Sequence, residues 1–160
     1  VSITLMLAEN TSLANAAIGG GVLLALRHVG EALAAPLFGS LGDRFGAVKI
    51  FTMSAALTVV GLLLIAFNQV ISGAIILLIF RGAIASLGPT IIAKQFGDTE
   101  TVLDNLARLQ SWRDIGAAAG PMVTGFALVY ISAEIQHLVL AIIFGVVLVL
   151  SSPKITTNSN

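Results

Sequence analysis

Four ionisable side chains stand where an apolar chain has least use for them. Arg27, His28 and Glu31 interrupt the apolar run 16–38, and Arg81 interrupts the run 70–93. A lone charge at the centre of a bilayer costs at least about 2.5–3.5 kcal/mol on insertion scales, so each needs a partner or a watery cavity. Arg27 and Glu31 are spaced i,i+4 and His28 and Glu31 i,i+3, which groups the three on one helix face. Two chemistries fit this grouping. In one, Arg27 and Glu31 pair within their helix and only satisfy each other. In the other, the face lines a cavity that binds a solute or carries protons. Counting favours the second. With His28 neutral, two arginines and one glutamate leave a positive charge at depth, to be met by a carboxylate from elsewhere or by an acidic group on a substrate. Histidine changes charge near neutral pH, and membrane carboxylates are the other common proton carriers, so His28 and Glu31 are the candidates for proton coupling.

Helices must hold these residues. The chain is 57% hydrophobic and 10% charged, with a mean hydropathy of +1.01. A soluble domain carries about 25% charged residues, so this chain has too few to cover a water-facing surface. Cysteine is absent, which removes disulfides, thiolate metal sites and cysteine nucleophiles; no cofactor or metal is expected. Apolar segments cover 16–38, 50–67, 70–93, 109–131 and 135–150. Most approach the ~20 residues that cross ~30 Å of hydrocarbon as helix. Hydrocarbon offers no partner to an unpaired backbone group, and the two-residue polarity period of barrel strands is missing. The expectation is an all-α membrane protein, a polytopic bundle. Residues 1–8 are the end of a truncated transmembrane helix, 9–150 a five-helix bundle and 151–160 a polar tail.

The loop and tail cations Arg44, Lys49, Lys94, Arg108 and Lys154 then all fall on one side, while the opposite loops hold Glu9, Glu134 and His137. The positive-inside rule places the cations, and the C-terminus, in the cytoplasm. Trp112 and Tyr130 are eighteen residues apart, ~27 Å of helix, which suits rings at the two interfaces; packing between helices is the alternative. Arg113 and Asp114 follow Trp112 and are expected just below the cytoplasmic interface, where arginine can snorkel.

The segment Gly39-Ser-Leu41-Gly-Asp43-Arg44-Phe-Gly46-Ala-Val-Lys49 reads as a charged, glycine-rich turn between two apolar segments. Its pattern, G-x-L-x-D-R-x-G-x-x-K, resembles the loop between the second and third helices of each half of major facilitator superfamily transporters. It departs after Gly46, where the family often has two basic residues and this chain has Ala47 and Val48. Gly116-Ala-Ala-Ala-Gly120-Pro121-Met-Val-Thr-Gly125 is similar to the family's antiporter motif, with Thr124 in place of a glycine. On its own residues it is a small-residue stripe that lets helices approach, with Pro121 able to kink the span. Arg81 with Gly88 loosely resembles the arginine motif of the fourth helix, although Ala85 stands where a glycine is expected.

The resemblance covers nearly the whole chain as five helices of a six-helix half. The three motifs occur in first-half order, but the short tail and the run from Trp112 to Pro121 look like second halves of bacterial members. Helices eight to twelve are the reading adopted. It implies a secondary transporter, ion- or proton-coupled and working in efflux by alternating access in a bacterial inner membrane. Asp43 and Arg44 would form its cytoplasmic latch. Asp43 stands at a helix C-terminus, which the macrodipole disfavours unless a cation or another helix N-terminus meets it. The expected partners are a small, acidic solute, a coupling ion, lipid and the missing half of the transporter, and not nucleic acid. An enzyme is not expected, because H-E-x-x-H, G-x-S-x-G and a phosphate-binding loop are all missing. The competing reading is a transport-inactive sensor or assembly subunit with the same fold.

Overall fold

The computed structural model describes residues 13–157, with side chains except at several positions of the first helix, Arg27 among them, and beyond Ser151. The segment 1–8 lies outside the described residues. Five helices follow one another: α1 (Leu13–Phe45), α2 (Ala47–Ala66), α3 (Val70–Gln95), α4 (Thr99–Ala127) and α5 (Ala133–Thr157). Among the described residues, α2, α3 and the stretch Ala133–Ser151 of α5 are long and apolar enough to cross a membrane. The mid-region of α4 carries Gln110, Arg113 and Asp114, which keeps it out of that group.

The connections are short, and each has a local cause. α1 and α2 are separated by Gly46 alone, whose φ of 94° lies in the region open to glycine. The segment read as a loop is therefore helical on both sides of one residue. Its other glycines do not turn the chain: Gly42 lies against Leu87, where a Cβ would stand 2.7 Å from Cδ2. α2 stops as Asn68 takes a φ of 63°, with the Phe67 and Asn68 amides donating to Leu63 and Ile65. Asp98 caps α4 by accepting from the amides of Glu100 and Thr101 at 3.0 and 3.1 Å. Residues 99–105, with Glu100 and Asp104, form the first part of α4. α5 continues as helix through 151–157.

α3 is the central helix, packed closely on α2 and then on α1, while α5 rests on the other side of α2. Small residues set the distances. A Cβ on Gly73 would stand 2.6 Å from the Gly61 carbonyl oxygen and 3.1 Å from the Ile65 amide nitrogen. The buried core includes Ala34, Ala47, Ser54, Ala55, Ile65, Ala83, Leu87 and Ala141, with few larger side chains, the pattern of helices that associate by close contact inside lipid. Large apolar side chains cover the outside instead, such as Leu33, Ile71 and Val149. α4 stands apart. It buries no residue, meets α3 where Leu109 reaches Gly88, and is tied to α5 by Gln136 donating to the Thr124 carbonyl at 3.1 Å.

Candidate functional site

The closest approach of α1 and α3 explains why two charges meet there. Gly82 has no side chain, and a Cβ at that position would stand 2.8 Å from the Ala34 Cβ and 3.3 Å from the Glu31 Cα. Ala34 is small for the same reason. With the backbones this near, the neighbouring Arg81 reaches across, and its Nε donates to Glu31 Oε1 at 2.8 Å. The carboxylate is mostly covered, its side chain 16% exposed, whereas the Arg81 side chain is 50% exposed. One edge of the guanidinium is therefore committed to Glu31. Its two Nη nitrogens have no hydrogen-bond partner among the described residues.

The structure shows Glu31 in an inter-helical pair with Arg81, which neither expected arrangement included. Sequence spacing within one helix could not find it. The side chain of Arg27 lies outside the described residues, so the i,i+4 pairing expected there has no structural account. His28 is exposed on α1.

A second ion pair ties the same two helices at their C-terminal ends. Lys94 Nζ, in the last turn of α3, donates to Asp43 Oδ1 at 2.8 Å, with both side chains more than half exposed. A cation thus meets the carboxylate that stands at the C-terminal end of α1, the arrangement the helix dipole requires. Lys94 was counted among the loop cations but not as the partner of Asp43. A signal for it existed. α1 and α3 run parallel, so their contacts keep a nearly constant sequence offset: 50 for Glu31–Arg81 and 51 for Asp43–Lys94. The pairs are twelve and thirteen residues apart on their helices, ~18–20 Å. Arg44 lies over the Phe45 ring, 5.4 Å from its centroid, and Lys49 is exposed on the first turn of α2. Gly39 has open space where a Cβ would be, and Leu41 is exposed.

The glycine motif of α4 is not brought against anything. No described atom lies within 4 Å of a Cβ built at Gly116, Gly120 or Gly125, and α4 continues as helix through Pro121. Trp112 and Tyr130 are both exposed, and Tyr130 lies past the end of α4 with its ring 5.3 Å from that of Phe126. At the start of α5, buried His137 places Nδ1 2.7 Å from the Ala133 carbonyl oxygen. No group of three or more metal-ligating side chains occurs among the described residues.

The family model described as the Major Facilitator Superfamily matches residues 1–158. No curated protein and no solved structure matches the chain.

Proposed function

The chain belongs to the Major Facilitator Superfamily, an integral membrane transporter family, and on that premise we propose that it forms helices eight to twelve of a secondary transporter. The transporter moves a small acidic solute outward by alternating access, coupled to an ion gradient, with protons the leading candidate. The Glu31–Arg81 pair is the observation that carries this reading. It joins two helices at mid-length, leaves cationic surface open, and sits where a charge without a function would be costly. His28 and Glu31 are the groups available for proton exchange, and Arg27 shares their helix.

Efflux rests on the likeness of the Gly116–Gly125 motif to that of antiporters. Electrostatics agrees, since one negative charge leaving a cell gains about 2.3 kcal/mol per 100 mV of inside-negative potential. In this reading Asp43, with Lys94, is the latch on the cytoplasmic side; Arg44, Lys49 and the small residues Gly39 and Gly46 shape the segment around it. The uncovered stripe of Gly116, Gly120, Pro121 and Gly125 is where the other half of the transporter packs. The C-terminus is cytoplasmic, from the placement of the five loop and tail cations.

The test uses the full transporter in sealed vesicles loaded with phthalate or with phenyltrimethylammonium, two solutes of fixed and opposite charge. Phthalate efflux that is faster than cation efflux, and lost in Glu31→Gln and Arg81→Gln, is expected. Equal handling of the two solutes would refute the acidic-solute reading. Binding of phthalate with no efflux would favour the transport-inactive sensor.

A further inference from the structure

We infer that Arg113 of α4 is a second anchoring cation of the solute site. Together with Arg81 it holds one oxyanion of the solute, a carboxylate or a phosphate, in the gap between α3 and α4. The inference rests on the transport reading above and names the residues that select the solute.

The face of α4 settles where Arg113 lies. Among the partly covered residues of this helix, Val102, Leu106 and Thr124 fall on one stripe. At 100° per residue, each of the three is within about 20° of Arg113, being seven or eleven positions away. Leu109, four positions and about 40° from Arg113, meets Gly88 of α3, so this side of α4 is the one turned to the bundle. Arg113 therefore faces the bundle and not lipid. Its side chain is exposed, and α4 buries no residue.

α3 offers the matching face. Arg81 is seven residues before Gly88, again within about 20° of it, so both lie on the side of α3 that meets α4. Measured outward from the Leu109–Gly88 contact, Arg113 is four residues along α4, ~6 Å, and Arg81 is seven residues along α3, ~10 Å. The two arginines enter the same gap at heights that differ by about 4–5 Å. Depth argues against snorkelling as well. From Lys94 to Gly88 is ~9 Å and from Leu109 to Arg113 a further ~6 Å, which puts Arg113 about halfway through a 30 Å hydrocarbon layer.

Neither nearby carboxylate meets Arg113: Glu31 holds the Nε edge of Arg81, and Asp114 accepts from Gln110 at 3.0 Å. Arg113 has no ion pair and no hydrogen bond among the described residues. Two guanidinium groups in one gap repel each other, and each presents planar pairs of N–H donors that match a carboxylate or phosphate. An oxyanion between them removes the repulsion and satisfies both.

The experiment measures equilibrium binding of labelled phthalate and of phenyl phosphate to the full transporter, for wild type, Arg113→Gln, Arg113→Lys, Arg81→Gln and Arg108→Gln. Arg108 is an exposed control paired with Asp104 at 3.0 Å. A loss of tenfold or more in Arg113→Gln and in Arg81→Gln is expected for at least one probe. Arg113→Lys should recover part of it and Arg108→Gln none of the loss should appear. The double variant should bind no more weakly than about the worse single one, because both residues hold the same group. Wild-type affinity in Arg113→Gln, or no binding of either probe to the wild type, overturns the inference. If Arg113→Gln binds normally while Arg81→Gln abolishes efflux, the inference fails and the transport reading stands. Binding that depends on both arginines without any efflux reverses that outcome. A variant that fails to fold is recognised by its thermal transition, and Arg113→Lys then decides: it keeps the charge, so unchanged selectivity between phthalate and the neutral phthalamide supports the site, and lost selectivity overturns it.

Discussion

Gly82→Ala should break the central ion pair without touching a charge. The added Cβ would stand 2.8 Å from the Ala34 Cβ, whereas carbon atoms rest at about 3.5–4.0 Å, so α1 and α3 must separate by roughly 1 Å. The Glu31 Cα at 3.3 Å is backbone and can give little. Adding ~1 Å to the 2.8 Å Nε–Oε1 distance takes it beyond hydrogen-bond range. A hydrogen bond to a charged group contributes about 1.5–3 kcal/mol, so occupancy of the pair should fall about tenfold to a hundredfold. Global stability should change less. Overpacking costs about 1–3 kcal/mol, while replacing a helical glycine by alanine returns about 0.5–1 kcal/mol. Ala34→Gly removes the main clash and should restore most of the loss in the double variant. The assay is phthalate efflux from vesicles containing the full transporter, alongside thermal unfolding in detergent. Full efflux in Gly82→Ala, or no recovery with Ala34→Gly, would refute the packing argument.

Exchanging the charges of the Asp43–Lys94 pair (Asp43→Lys with Lys94→Asp) should recover efflux that either single change lowers, while melting temperatures hardly move, because exposed pairs contribute about 0–1 kcal/mol. Both residues stand in last turns, so the swap moves the acid that the helix dipole disfavours from α1 to α3 and leaves that cost about unchanged. Gly73→Ala should be destabilising by several kcal/mol, about the upper end of overpacking, because its contacts are backbone atoms of α2; detergent unfolding reads this directly. Asp98 supplies a pH prediction. Hydrogen bonds from the Thr101 side chain, then from the amides of Thr101 and Glu100, hold its carboxyl below the usual carboxylate range. A depressed folded pKa means the cap's stabilisation is complete above about pH 4 and is lost as pH falls through the lower, folded value. Amide exchange at residues 99–102 should accelerate over that acidic window in the wild type, and should show no such step in Asp98→Asn.

The helices were legible because hydrocarbon leaves apolar segments a single way to satisfy their backbones. Asp43 was legible as a group in need of a cation, since the dipole at the end of α1 dictates it; the identity of Lys94 required knowing that α1 and α3 run side by side. The Glu31–Arg81 pair was less accessible. Spacing alone offers Glu31 a partner on its own helix, and only the approach of Gly82 to Ala34 makes the distant arginine a neighbour. The turn was misjudged in extent for a related reason: glycine serves both turning and close packing, and of this segment's glycines only Gly46 has a positive φ while Gly42 makes room for Leu87. The position of α4 could not be read at all, because its uncovered glycines look the same in sequence whether a neighbour is present or not. Arg113 reads as an interfacial residue from its place after Trp112; it is exposed on α4, and its place in the solute gap is our inference from helix geometry.

The most direct measurement is outward movement of phthalate from sealed vesicles that contain the full transporter, compared between the wild type and Arg81→Gln at equal amounts of folded protein. The account predicts rapid, saturable efflux in the wild type and a loss of at least tenfold in the variant. Wild-type protein that binds phthalate yet never releases it across the membrane, or a variant as fast as the wild type, would contradict the claim that this chain carries the solute site of a transporter.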